Sequence, residues 1–244
     1  SDTNAILVSY AFSMSLFLGF IGDHLSGDWG DYLGTAAGVI STLVMVAILA
    51  NHLLTIGRRT NQTIMPSQWL IVGGISIPLI MCLACLIVGV NEVIFESLTV
   101  LPMLSGALAV ALYVVPFEAG TPLWSRTLAG VTIFMTFVTL SPIGVEGATD
   151  VSLNSASLLT IFYAASMIPI LAAAGNVFQT ARTNWGAASS SSASTAVMIG
   201  MFMLVGSAIG HLFVGADAHS TGEIQHLSSS METLFLWGGM GMIA

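Results

Sequence analysis

Residues 34–56 read GTAAGVISTLVMVAILANHLLTI, a run with no Asp, Glu, Lys or Arg, closed just beyond Gly57 by the pair Arg58 and Arg59. A hydrocarbon core about 30 Å thick is crossed by roughly 20 apolar residues rising about 1.5 Å each, so this run is long enough to span a bilayer. Comparable runs recur at 5–21, 69–90, 94–116, 125–142, 155–178, 194–214 and 223–244. Between them lie helix-breaking stretches such as GDHLSGDWGDYLG at 22–34 and TNWGAASSSSAS at 183–194. The chain is 55% hydrophobic and 7% charged, and its mean hydropathy is +0.93. Soluble domains carry about 25% charged residues, so the composition predicts an all-α integral membrane protein.

The few charges are sorted by loop. Arg58 and Arg59 follow the second run, Arg126 precedes the fifth and Arg182 follows the sixth, which puts all the basic residues on one side. Asp23, Asp28, Asp31, Glu92, Glu146, Asp150, Asp217 and Glu223 fall on the other side. The positive-inside rule makes the arginine loops cytoplasmic and the acidic loops external, in a plasma or inner membrane. The run at 5–21 lacks a basic flank and reads as a retained extra helix rather than a signal peptide. The expected division is therefore 1–33, an extra N-terminal helix with an acidic outer loop, and 34–244, a membrane domain of seven helices. Cys82 and Cys85 sit inside an apolar run and read as packing residues rather than a redox pair. The sequon at Asn61 falls on the cytoplasmic side, where it carries no glycan.

Ionisable groups within the bilayer cost several kcal/mol and mark functional positions. Glu232 lies roughly 14 Å down its helix from Glu223, near the bilayer midplane. Ser228 and Ser229, four and three residues earlier, share its face. Two readings stand: a carboxyl that carries a proton or binds a ligand, or a neutral acid bonded to a neighbouring helix for packing. Glu96, near the outer end of the fourth run, is either a second such carboxyl or an interfacial acid. Pro78, Pro102, Pro142 and Pro169 fall within apolar runs, where a proline frees a carbonyl. His24, His211, His219 and His226 lie toward the acidic side, as interfacial histidines or as ligands to copper or zinc, with His211, His219 and His226 the candidate set. His52 has no second histidine at matching depth, which argues against bis-histidine haem. With four basic residues and a net charge of −8, the chain has no surface for nucleic acid.

The runs from 34 onward resemble the microbial rhodopsins, the proteorhodopsin-like proton pumps in particular. LVGSAIGH at 204–211 is similar to that family's sixth helix, TLAGVTIFM at 127–135 to the start of its fourth, and ESLTVLP at 96–102 to its third. In the third, Glu96 keeps the counterion's spacing of six residues before a proline, Pro102. The resemblance implies a seven-transmembrane rhodopsin-like bundle. Aligned on LSSSMETLF at 227–235, the family's seventh-helix aspartate and retinal-binding lysine correspond to Ser229 and Thr233. The sequence contains no lysine, so a covalent retinal Schiff base cannot form. Ser207, Gly210 and His211 stand where the family has Trp, Tyr and Pro, and Val93 where it has arginine. The implied protein is a lysine-less opsin-like scaffold that acts as an accessory subunit or binds a pigment or lipid non-covalently. Its cavity is expected among Ser207, Gly210, Ser229, Glu232 and Thr233. Its partners are the bilayer and other membrane subunits or further copies of itself.

Two alternatives accompany this reading. One is a proton or ion transporter stepping through Glu96 and Glu232, although the internal repeat common in transporters is not evident. The other is a subunit of a copper membrane monooxygenase-like complex. Residues 223–235, E-x2-H-x4-M-E-x-L-F, are similar to a piece of that family's C subunit, and Gly27-Asp28-Trp29 to its A subunit, without the family's Asp and two His ligands.

Overall fold

The computed structural model describes residues 14, 17–18, 21, 28–58, 64–88, 92–139, 155–216 and 238–243; side chains at 28, 31, 34, 81–88, 92–100, 155–164, 166 and 210–216 lie outside that description. Among the described residues there are helices and no strands. In chain order they are α1 (Asp28–Gly57), α2 (Pro66–Val88), α3 (Glu92–Ala119), α4 (Arg126–Thr139), α5 (Ser155–Thr183), α6 (Trp185–Ser190) and α7 (Ser192–Ala216), followed by a helical stretch at 238–243. Among the described residues, three segments are long and apolar enough to cross a membrane: Thr35–Gly57, Leu101–Ala119 and Ser192–Ile209. Pro66–Ile80 and Arg126–Thr139 are shorter apolar helices.

Packing divides the chain into two units. The first comprises 1–63 and 79–87, the second 64–78 and 88–244. In the first, α1 has 30 residues, about 45 Å at the helical rise, close to the full thickness of a bilayer with its headgroups. Its Val39, Leu43, Val46, Leu53 and Leu54 are exposed, as on a helix solvated by lipid. Trp29 and Tyr32 meet edge to face at 6.5 Å at its start. Such rings mark a membrane–water interface. The helix begins earlier than the glycines of 22–34 predict. Gly30 falls in its first turn, and the cost of one glycine is small beside a continuous helix of 30 residues.

The second unit is organised around α5, which packs against α7, α4 and α3. The contacts use small side chains: Ala107, Ala111, Ala129, Ala173, Ala174, Ala181 and Ala208 are all buried. Lipid tails are as apolar as a core, so helices in a membrane gain little by hiding apolar surface. Close approach of backbones, with its dispersion contacts, is what holds them together. Among the described glycines, the closest approach to another helix's backbone brings α7 to 238–243. A Cβ on Gly200 would lie 2.7 Å from the Gly239 carbonyl oxygen, and a Cβ on Gly239 would lie 2.8 Å from that of Gly200.

On α4 the two faces differ. Thr132, Thr136 and Thr139 are buried, and each hydroxyl donates to a carbonyl one turn back, Leu128, Thr132 and Met135 respectively, at 2.7–3.0 Å. Back-bonding leaves the threonine methyls to pack and no hydroxyl unpaired. Pro78, Pro102, Pro116 and Pro169 are all accommodated inside helices; Pro142 lies outside the described residues. The stretch 183–194 is mostly helical rather than an open connection. Ser190 Oγ donates to the Ala187 carbonyl at 2.9 Å, and the chain breaks only around Asn184 and at Ser191, where φ is −84° and ψ 126°. Ser191 then caps α7 by accepting the Ser194 N–H at 3.3 Å.

Candidate functional site

Of the residues expected to line a cavity, Ser207 is the one whose side chain is described. It lies on α7, about 22 Å along from Ser192 at the helical rise. It is fully buried, and its hydroxyl has no hydrogen-bond partner among the described residues. A serine inside a helix ordinarily satisfies its proton on a carbonyl one turn back. Leaving a buried hydroxyl unpaired costs about 1–3 kcal/mol, so an orphan of this kind marks an unfilled requirement for an acceptor.

Glu96 is placed in the second turn of α3, six residues before Pro102 on one continuous helix. Gly210 and His211 lie on the last two turns of α7. The side chains of Glu96 and His211 are outside the description. Ser229, Glu232, Thr233, His219 and His226 lie outside the described residues altogether. Among the described residues no three metal-ligating side chains come together. His52, within α1, has a buried Nε2 without a partner among those residues.

A second polar locus was not singled out from the sequence. Asn176, fully buried on α5, accepts the Ser125 N–H through Oδ1 at 3.1 Å and donates through Nδ2 to the Ser125 carbonyl at 2.8 Å. One turn on, Thr180 Oγ1 accepts the Trp124 N–H at 3.0 Å and donates to the Asn176 carbonyl at 2.7 Å. Asn184 Nδ2 reaches the Ala119 carbonyl at 2.9 Å. Two side chains of α5, and Asn184 just beyond it, thus satisfy the backbone at the end of α3 and in the α3–α4 connection.

Local sequence explains why that connection accepts them. Gly120, at φ +63°, ends α3; its N–H bonds to the Phe117 carbonyl and that of Thr121 to the Pro116 carbonyl, the paired bonds of a Schellman turn. Ser125 then caps α4, its Oγ accepting the Leu128 N–H at 3.1 Å. The sequence signal was an asparagine and a threonine one turn apart in the apolar run ILAAAGNVFQT, a pattern that suits an interhelical bond. The same bonds place Arg126 and Arg182 at one end of the second unit.

A third feature is an open apolar groove of about 480 Å³ lined by Trp69 of α2 and by Gly130, Ile133, Phe134, Phe137 and Val138 of α4. The chain matches no family model, no curated protein and no solved structure.

Proposed function

We propose that the chain is a rhodopsin-like, seven-span membrane protein that holds a lipophilic ligand non-covalently, or a partner subunit's side chain, in the space a retinal fills in that family. With no lysine in the sequence, the ligand is held by shape and hydrogen bonds rather than an imine. The observation that carries the reading is the fully buried hydroxyl of Ser207, which has no partner among the described residues.

The helical stretch at 238–243 runs antiparallel to α7: Gly238 faces Met203, Gly239 faces Gly200 and Leu204, and Ile243 faces Gly200. Glu232, an acid within the last apolar run, is the carboxyl this reading pairs with the site. The arginine-bearing ends face the cytoplasm in this reading.

The test is an absorption spectrum across the near-ultraviolet and visible range of protein purified from its native membrane in mild detergent. Metal analysis and mass spectrometry of an organic extract are run on the same sample. A lipophilic compound near one per chain, lost on Glu232→Gln or Ser207→Ala, is the expected result. An extract free of any such compound, with no chain co-purifying, overturns the reading; stoichiometric copper would replace it with the metal-subunit alternative.

A further inference from the structure

We propose that the groove on α4 is a binding site for one anionic phospholipid, with the phosphate on Arg126 and an acyl chain along the groove. The residues form a single stripe. Arg126 opens α4, and Gly130, Ile133, Phe134, Phe137 and Val138 follow at steps of three, four and one, the spacing of one helical face. From Gly130 to Val138 the stripe descends about 12 Å into the membrane. Phe134 and Val138 are exposed on it, and Trp69 borders it from α2.

Each part of the groove has a structural cause. Gly73 on α2 leaves room for the Phe137 ring, which any Cβ there would strike. Gly130 carries no side chain, and a Cβ there would meet nothing within 4 Å, so its absence opens the groove below Arg126. The volume of about 480 Å³ lies within the range of small-ligand clefts, roughly 300–1,000 Å³.

Charge selects the headgroup. Arg126 is exposed, no acid occupies the first turn of α4, and the helix N-terminus adds its own positive end. The Asn176 bonds to Ser125 hold the backbone next to Arg126 in place. Arg182, also exposed, closes the same end of α5. Glu118, partly buried on α3, is the acid described at that end. A guanidinium at headgroup depth above an aromatic-lined channel fits a phosphodiester bearing fatty chains, whereas free phosphate has nothing to place in the channel.

The experiment reconstitutes the full chain in nanodiscs of phosphatidylcholine containing one-quarter phosphatidylglycerol, with bromine on the acyl chains of one lipid or the other, and reads tryptophan fluorescence. Trp69→Phe isolates the signal of the groove. Brominated phosphatidylglycerol is expected to quench Trp69 several-fold more than its mole fraction requires, and an excess of inorganic phosphate to leave this unchanged. Arg126→Gln should abolish the excess. Gly130→Phe, which fills open space and disturbs no packed neighbour, should abolish quenching by both lipids. Quenching in proportion to mole fraction in the native chain overturns the proposal, as does phosphate competition or an excess that survives both substitutions in folded protein.

Discussion

At Ser207 the sign of a mutation separates an empty site from a filled one. With its hydroxyl unpaired among the described residues, Ser207→Ala removes an unsatisfied buried group and is expected to be neutral or to stabilise by up to about 1 kcal/mol. In protein that retains its ligand the same change should cost about 0.5–1.5 kcal/mol, because a made bond is lost. Thermal unfolding in detergent, before and after lipid stripping, reads the difference. Asn176 gives the opposite case, a buried side chain with both its donor and acceptor used. Asn176→Ala strands the Ser125 N–H and carbonyl and is expected to cost about 1–3 kcal/mol in the same assay. Thr183→Ala, two turns on at an exposed position, loses water-accessible bonds to Thr121 Oγ1 and the Thr180 carbonyl and should stay within about 0.5 kcal/mol. Glu232 and Asn176 are both polar residues in apolar runs. Sequence ranks the acid higher because a charge is costlier to bury than an amide, whereas the structure shows the amide holding a loop.

Between elements, glycine decides how closely two helices meet. Gly200→Val would drive a side chain into the Gly239 carbonyl and should destabilise the protein by about 1–3 kcal/mol, the usual cost of overpacking. Gly241, on the same helical stretch as Gly239, has nothing within 4 Å of its Cβ position, so Gly241→Ala should be neutral or stabilise by up to about 1 kcal/mol. Unfolding in mixed detergent micelles with increasing dodecyl sulfate compares the two. The difference between Gly239, packed on Gly200, and Gly241 is invisible in the sequence, where both are glycines of one GGMGM run. The serine stretch at 183–194 shows a similar limit. Its composition signals a loop, yet once Asn184 turns the chain, hydroxyls bonded to preceding carbonyls let serines continue as helix.

For the whole molecule, sidedness is the testable property. Bonds from α5 to the α3–α4 connection tie Arg126 and Arg182 to one end of the second unit, as the alternation of apolar runs requires. With both native cysteines replaced by serine, Ser190→Cys at this end should react with a membrane-impermeant maleimide in inverted vesicles and not in intact cells. Labelling in intact cells would place the arginines outside. Trp124 and Trp185, both more than half exposed, flank the same end and fit a ring of aromatics at the membrane surface.

The sequence by itself determined that the chain is helical and apolar as a membrane protein is, where most of its apolar runs lie, and that, having no lysine, it offers no side-chain amine for a retinal imine. Each of these follows from composition, run length or the absence of an amine, quantities that do not depend on which helices touch. Tertiary structure alone decided that Ser207 has no partner among the described residues, that both ends of the Asn176 amide bond Ser125, that Gly200 meets a backbone, and that Gly130 opens a groove. In an apolar chain every run presents much the same surface to lipid and to its neighbours, so the neighbours are chosen by small residues and single polar atoms, whose meaning depends on what lies opposite them.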